Sequence, residues 1–488
     1  MAKQKAFKPK ARRPRGFEDR AASALRAERA LVAAASQVYE RWGFEPLETP
    51  AFEYADALGK FLPDADRPNE GVFALQDDDE QWMALRYDLT APLARFAAEH
   101  FQDLAKPFRR YQYGEVWRNE KPGPGRFRQF VQCDADSVGA PGPAADAEMI
   151  ALASEVMQAS GLEAGEYVVR VNDRRLLDGV LERLGAAAQD KRLTVLRAID
   201  KMDRLGRQGV ELLLGAGRKD DSGDFTQGAG LEPEQIALVL DFLEAAGETR
   251  GGVIAALESH VGAGVGKAGL DALGEIDAIL SALGVDEGGA VFDPSIVRGL
   301  GYYTGAVFET ELLLTPHYPD GSPMQFGSVG SGGRYDDLVA RFTGQAVPAT
   351  GFSFGVSRFA AALTALGRLD AAAPDPLVVV IAAEKDRMAE YFQIASELRA
   401  AGLRAEAFVG GGNMGKQLKY ADRRGAAMAV IIGSEEREKG EAQIKDLALG
   451  ARLAAQIEDN KTWREDQPAQ FTVKRDVLVS SIRRRLER

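Results

Sequence analysis

The chain of 488 residues holds a single cysteine, Cys133, and only three histidines, His100, His260 and His317. One thiol excludes an internal disulfide framework, and neither a Cys-rich zinc site nor a His-based metal cluster is expected. So few histidines also speak against Ser-His-Asp catalysis. No apolar run approaches the roughly 18 to 20 residues needed to span a bilayer. The basic N-terminus is not followed by the apolar core of a secretory signal. An organellar presequence is disfavoured by its lysines, by Pro9 and Pro14, and by its lack of serine. The expected location is therefore the cytoplasm. An excess of positive charge is missing too, since 61 Lys and Arg stand against 73 Asp and Glu for a net charge of -12. The chain as a whole repels phosphate backbones, so any nucleic-acid contact must rest on local patches. Two are visible, Lys3 to Arg15 and the run from Lys474 and Arg475 to Arg483, Arg484 and Arg485. Each reads equally well as a solvated tail.

The rest of the composition is that of a globular protein, with 45% hydrophobic and 27% charged residues, and the length suggests about three domains. Ala21 to Trp42 spaces its apolar residues for an amphipathic helix, after which Pro46 and Pro50 impose extended chain. FRRYQYGEVW and RFRQFVQCDADSVG, joined by NEKPGPG, predict an antiparallel hairpin with a long tip. EYVVRVND predicts another strand, behind a helix from Ala144 to Gly161. Residues 174–289 are rich in Ala, Leu and Gly and predict a mostly helical insertion without evident chemistry. Strand-like text returns in AVFDPSIVRGLGYYTGAVFETELL and FGSVGSGGRYDDLV. Beyond the linker LDAAAPDP, apolar strands alternate with helices, the pattern of βαβ units. The expected fold is an α+β domain, an antiparallel sheet flanked by helices, in two parts (1–173 and 290–368) around the insertion. A C-terminal α/β domain (376–460) and a terminal extension (461–488) follow. In that extension Leu478, Ile482 and Leu486 mark an amphipathic helix.

No GxxxxGK[ST] motif is present, and GSVGSGGRYDDL lacks a phosphate-binding lysine. Nucleotide chemistry would have to use arginines on strands. Arg118 and Glu120 share one strand face, as do Arg126 and Arg128 across the loop. Guanidinium forks suit phosphate oxygens. The same spacing also fits a solvated ladder of cross-strand salt bridges, and spacing alone leaves both readings open.

Six segments in order resemble one family. YGEVWRNEKPGPGRFRQFVQCDAD, GFEPLETPAFE and TGFSFGVSRF are similar to the class-defining motifs of class II aminoacyl-tRNA synthetases. RGLGYYTGAVFE and GGRYDDLV resemble the histidine-binding motifs of histidyl-tRNA synthetases, and LRYDLTAPLARF resembles a further pocket segment of that family. The resemblance implies a class II synthetase fold and an anticodon-binding C-terminal domain, with GNMGKQLKYADRRGAAMAVIIG as its best-matching stretch and Lys416, Gln417 and Lys419 as RNA contacts. It implies L-histidine, Mg2+-bearing ATP and the histidine tRNA as substrates, a homodimer, and no tightly bound cofactor or protein-held metal. By the same resemblance Arg118 and Arg298 would be catalytic. Arg118, Glu120, Arg126 and Arg358 would bind ATP. Asp88 and Thr90 would take the substrate ammonium, Gln132 and Arg298 its carboxylate, and Asp136 and Tyr303 its imidazole, with Tyr302, Tyr335, Gly332 and Gly333 as walls. A neutral imidazole has one donor and one acceptor, so an acceptor such as Asp136 and a hydroxyl such as Tyr303 suit it.

The chain departs from the family at Gly301, where an acidic residue is usual, and at Asp88 and Asp136, where many bacterial members carry the longer Glu. Two rival readings are a regulatory subunit of histidine biosynthesis and a module sensing uncharged tRNA. The first would lack the C-terminal domain and the arginines, and the second would be joined to kinase sequence.

Overall fold

The computed structural model describes residues 9–58, 71–122, 127–185, 191–219, 223–297, 303–317, 321–324, 327–369, 375–454 and 469–487. They fall into two compact units, Met1–Ala372 and Ala373–Arg488. In the first unit the chain runs through α1 (Ala22–Arg41), β1 (Glu45–Pro46), β2 (Phe52–Tyr54), β3 (Ala74–Gln76), β4 (Trp82–Leu85) and α2 (Thr90–Glu99). The expected hairpin follows as β5 (Phe108–Trp117) and β6 (Gln129–Val138), then α3 (Pro143–Ala159) and β7 (Tyr167–Asp173). The insertion contains α4 (Arg174–Leu184), α5 (Arg192–Ile199), α6 (Met202–Leu214), a small hairpin of β8 (Gly217–Lys219) and β9 (Phe225–Gln227), α7 (Pro233–Leu243), α8 (Arg250–Val261) and α9 (Val265–Ala282). The chain then returns through β10 (Ala290–Phe292), β11 (Ala306–Leu312), β12 (Ser328–Arg334), β13 (Ala349–Gly355) and α10 (Val356–Ala365).

The main sheet has the order β1-β5-β6-β13-β12-β11-β7-β10. Its six central strands are antiparallel, and β1 and β10 join the edges in parallel. Alternation divides the sheet into two faces of different chemistry. One face carries Tyr111, Val131, Cys133, Ala135, Val171, Phe308, Phe352 and Phe354, which form one core with Leu31, Val38 and Tyr39 of α1, Met149 and Ile150 of α3, and Phe359 of α10. The rings of Phe308, Phe352 and Phe354 lie 6.2 and 6.1 Å apart in sequence. A Cβ at Gly332 would overlap the Phe308 ring, so this glycine makes room for the aromatic ladder in an unbroken stretch of register. The opposite face is polar.

Apolar residues of the insertion, among them Leu177, Val180, Leu240, Leu257 and Leu273, belong to the same core. Buried Arg250 ties α8 to Asp277 at 2.6 Å and to the carbonyl of Ala290 in β10 at 3.1 Å. A separate three-stranded sheet, β2-β4-β3, leaves Phe52, Tyr54 and Leu75 exposed; the register places all three on one face.

The second unit contains β14 (Leu377–Ile381), α11 (Met388–Ala400), β15 (Arg404–Ala407), α12 (Met414–Arg423), β16 (Ala426–Ile431), β17 (Glu441–Asp446), β18 (Gln470–Lys474) and α13 (Leu478–Leu486). Its sheet order is β15-β14-β16-β17-β18, with the first three strands parallel and the last two antiparallel. All of LVVVI in β14 is buried because helices cover both faces of the parallel part. The segment read as an extension beyond residue 460 supplies β18 and the packed helix α13, whose Leu478 and Ile482 are fully buried.

Candidate active site

Three cross-strand rows run over the polar face of β5, β6 and β13: Arg110–Asp136–Gly351, Gln112–Asp134–Ser353 and Gly114–Gln132–Gly355. In the first row Arg110 Nη2 lies 2.8 Å from Asp136 Oδ2 and also donates to the Leu89 carbonyl at 2.9 Å. The Tyr335 hydroxyl donates to Asp136 Oδ1. Both Asp136 oxygens are thus held, and each keeps a second lone pair for a ligand. A Cβ on Gly351 would overlap Asp136 Oδ1, so glycine is needed beside the carboxylate. Burial pushes the Asp136 carboxyl up, against the pull of Arg110 and Tyr335. The Tyr335 phenol is driven well above its ordinary value by burial and then by Asp136.

The second row holds Asp134, whose carboxyl is pushed up to about 8 by burial and by the neighbouring Asp136 charge, with Arg110 opposing. Next to it, Gln132 Nε2 donates to Ser353 Oγ at 2.8 Å. Both oxygens of Asp134, Gln132 Oε1, and Arg110 Nε and Nη1 are buried without a hydrogen-bond partner among the described residues. Buried polar atoms are nearly always paired in native proteins. Five unspent ones in three adjacent rows mark a surface shaped for a polar ligand.

Asp88 Oδ1 accepts the backbone N–H groups of Thr90 and Ala91 at 3.1 and 2.9 Å, which secures the start of α2. Asp88 therefore has the structural task that its place before LTAPLARF suggests. Burial raises its carboxyl, against those two N–H groups and Arg118. Thr90 is buried in the first turn. Tyr303 is buried and packs beside Gly333, where a Cβ would come within 2.8 Å of its ring. Tyr303, Gly333, Tyr335 and Asp136 are thus brought to one end of the rows, whereas Gly332 belongs to the apolar face.

Toward the hairpin tip, the Arg118 guanidinium lies 4.3 Å from the Tyr87 ring and 5.1 Å from that of Phe130. Its Nε reaches the Tyr87 carbonyl at 3.4 Å. Two aromatic rings thus flank the guanidinium with favourable cation–π contacts. The Tyr87 hydroxyl donates to Glu120 Oε1 at 2.7 Å. Among the described residues Arg128 pairs with no carboxylate across the hairpin; its Nε donates to the Glu120 carbonyl at 2.9 Å. Arg358, in the first turn of α10, donates to the Ser328 carbonyl at 3.1 Å. Arg126, Arg298, Gly301 and Tyr302 lie outside the described residues.

Arg110 and Asp134 are the site residues that the sequence reading missed. Their signal was parity: Arg110 is eight residues before Arg118 and Asp134 two before Asp136, so each lies on the face already assigned to chemistry. In the second unit, Gln417 differs from its expected role as an RNA contact. It is buried, accepts the Ala382 N–H at 2.8 Å and donates to the Ala382 carbonyl at 2.8 Å, clamping α12 to the end of β14. A cavity of about 160 Å³ lies over the far strands, lined by Arg170, Asp200, Asp293, Glu309 and Glu311 among others. Arg170 pairs there with Asp293 and Glu311 at 3.0 and 2.8 Å. No helix of the described residues is long and apolar enough to cross a membrane.

An antiparallel sheet with one helix-packed face and one arginine- and carboxylate-bearing face, followed by a separate α/β unit, is the architecture of a class II aminoacyl-tRNA synthetase. Residues 16–359 match the family model for histidyl-tRNA synthetase, and residues 377–484 match that for an anticodon binding domain. The chain is 58% identical to a histidine–tRNA ligase of Caulobacter vibrioides over 98% of its own length and 97% of that protein. It is 56% identical to one of Brucella ovis, over 99% and 97%. It also resembles the crystal structure of histidyl-tRNA synthetase from Nostoc sp. PCC 7120, with a TM-score of 0.71 and 30% identity over 98% of this chain and 100% of that one. The chain belongs to the histidyl-tRNA synthetase family.

Proposed function

We propose that the polar face of the main sheet binds L-histidine and ATP, and that the protein joins histidine to the histidine tRNA through a histidyl-adenylate. The observation that carries this reading is the set of buried, unspent polar atoms in the Arg110–Asp136, Asp134 and Gln132 rows, within a chain of this family. Asp136, oriented by Arg110 and Tyr335, accepts a hydrogen bond from the imidazole, and Tyr303 faces its other nitrogen. Such a site rejects isosteres strongly, because a missing partner leaves buried polar groups unpaired. Gln132 takes the carboxylate side, and Asp88 with Thr90 the ammonium. Arg118 takes the α-phosphate, Glu120 the adenine side, and Arg126 and Arg358 the outer phosphates. Arg298 bridges the carboxylate and the α-phosphate, and Tyr302 completes the wall. The order along the strands supports this division: Asp136 and Gln132 are four residues apart, roughly 13 Å of extended strand, with Arg118 a similar step further on.

In the first step a histidine carboxylate oxygen attacks the α-phosphorus, the bond to the bridging oxygen breaks, and pyrophosphate leaves. Mg2+ arrives on the ATP phosphates and offsets their charge. The protein contributes position and fixed positive charge rather than a general base. In the second step a hydroxyl of the terminal tRNA ribose attacks the acyl carbonyl and AMP leaves. We assign the C-terminal unit to the anticodon arm, with Lys416 and Lys419 as contacts. The apolar face of Phe52, Tyr54 and Leu75 supports a homodimer, as contiguous exposed apolar surface favours association. The cytoplasm is the compartment where these substrates meet. Charging of a histidine tRNA transcript with labelled histidine tests the reading. Histidine esterified to the 3′ end is the expected product, and transfer of another amino acid in its place would refute it.

A further inference from the structure

Of the two basic runs in the sequence, the C-terminal one is engaged within the fold at four of its five named residues, Arg484 being exposed. Arg475 pairs with Glu397 at 2.6 Å, Arg483 donates to the Ala401 carbonyl at 2.5 Å, and Arg485 lies 3.5 Å from the Phe471 ring and 3.9 Å from Asp446. The N-terminal run behaves differently. Gly16 accepts the Arg128 N–H at 2.8 Å, and Arg128 in turn accepts the Arg118 N–H at 2.9 Å. The segment is therefore laid along the hairpin one chain over from Arg118. Gly16 has φ of 84°, and a Cβ there would lie 2.9 Å from the Arg128 side chain and 3.1 Å from Pro122, so this close approach requires glycine. Phe17 packs on Phe73 at 5.8 Å, and Arg20 pairs with Glu28 at 2.8 Å and with Glu115.

The residues just before these anchors are Lys10, Arg12, Arg13 and Arg15, all exposed. Arg13 makes a 3.9 Å contact with Asp19, both side chains being more than half exposed, and the other three have no ion-pair or hydrogen-bond partner among the described residues. At 3.3 to 3.6 Å per residue, Arg12 lies within roughly 14 Å of Gly16. A protein of net charge -12 thus presents a cluster of exposed cations tethered through Gly16 next to the strand end that carries Arg118. Exposed arginines without internal partners contribute little to folding. Their field acts on whatever approaches the hairpin.

We infer that Arg12, Arg13 and Arg15 form a phosphate-binding arm for the acceptor end of the tRNA, whose terminal ribose must reach the adenylate beside Arg118. The inference rests on the proposed site. It requires that the arm act on the polyanionic substrate and leave the small-molecule step alone. Each phosphate neutralised contributes about 0.7 to 0.9 to the slope of log affinity against log salt. The test compares the full-length protein with its R12Q/R13Q/R15Q and R12K/R13K/R15K variants. The glutamine variant is expected to show at least a tenfold higher KM for tRNA near physiological salt. Its salt slope should be shallower by about 2 to 3, with unchanged histidine-dependent ATP–pyrophosphate exchange, and the lysine variant should recover most of the loss. An unchanged KM and slope would overturn the inference, as would a parallel fall in exchange, which means that the segment only supports the fold. Absence of exchange in the parent protein would instead overturn the functional reading on which it rests.

Discussion

Arg110 Nη2 and Asp136 Oδ2 face each other at 2.8 Å across the β5–β6 pair, with both side chains withdrawn from solvent. Removing one member of such a pair strands the other charge, at a typical cost of about 3 to 5 kcal/mol. Arg110→Met is expected to destabilise the first unit by about that amount in denaturant unfolding and to raise the KM for histidine more than that for ATP. Arg110→Met combined with Asp136→Leu should be less destabilised than Arg110→Met alone. Additive losses in this cycle would show that the pair does not act as a unit.

Arg118 lies 4.3 Å from the Tyr87 ring and 5.1 Å from the Phe130 ring, and a planar guanidinium fork meets a phosphate differently from a point charge. Arg118→Lys keeps the charge and loses the plane. Steady-state exchange should fall about a hundredfold with an unchanged melting profile. Activity near that of the parent would remove Arg118 from the transition state.

Asp134 predicts a pH dependence. Its carboxyl sits at about 8 in the folded protein because of burial and the nearby Asp136, against about 3.9 in an unfolded chain. The folded state therefore holds an extra proton between those values. The associated stability is fully present below about pH 4 and is lost as the pH rises toward 8. Asp134→Asn removes this titration. The melting temperature of the ligand-free variant should decline less steeply between pH 5 and 8 than that of the parent, and parallel profiles would contradict the assignment.

Gln417 uses both amide atoms on Ala382. Gln417→Ala should destabilise the C-terminal unit by about 1 to 3 kcal/mol while leaving pyrophosphate exchange unchanged, because the proposed adenylation site lies in the first unit. Loss of exchange would show that the clamp reaches the chemistry.

The hairpin was legible because a period-two pattern, an aromatic-rich composition and a Gly/Pro tip all point the same way. That one face of it is polar was legible from the parity of Gln132 and Asp136. Arg110 and Asp134 escaped because a strand with several charges reads as a solvated ladder until its neighbours are known, and β13, which buries them, lies more than 200 residues on. The insertion of β13 between β6 and β12 has no local signal at all. The same holds for β18, which is a strand because β17 offers it an edge. Gln417 was misread because a polar residue on a lysine-bearing helix looks solvent-facing, and only the packing of α12 on β14 turns it inward. The helix α13 was legible because Leu478 and Ile482 share one helical stripe.

Selection of histidine by the Asp136 pocket is measured by ATP–pyrophosphate exchange with each amino acid in turn. Exchange is expected with histidine and, at equal concentration, none above background with the others, and the histidine signal should be lost in Asp136→Ala. Exchange driven equally well by another amino acid, or undiminished with histidine in Asp136→Ala, would contradict that selection.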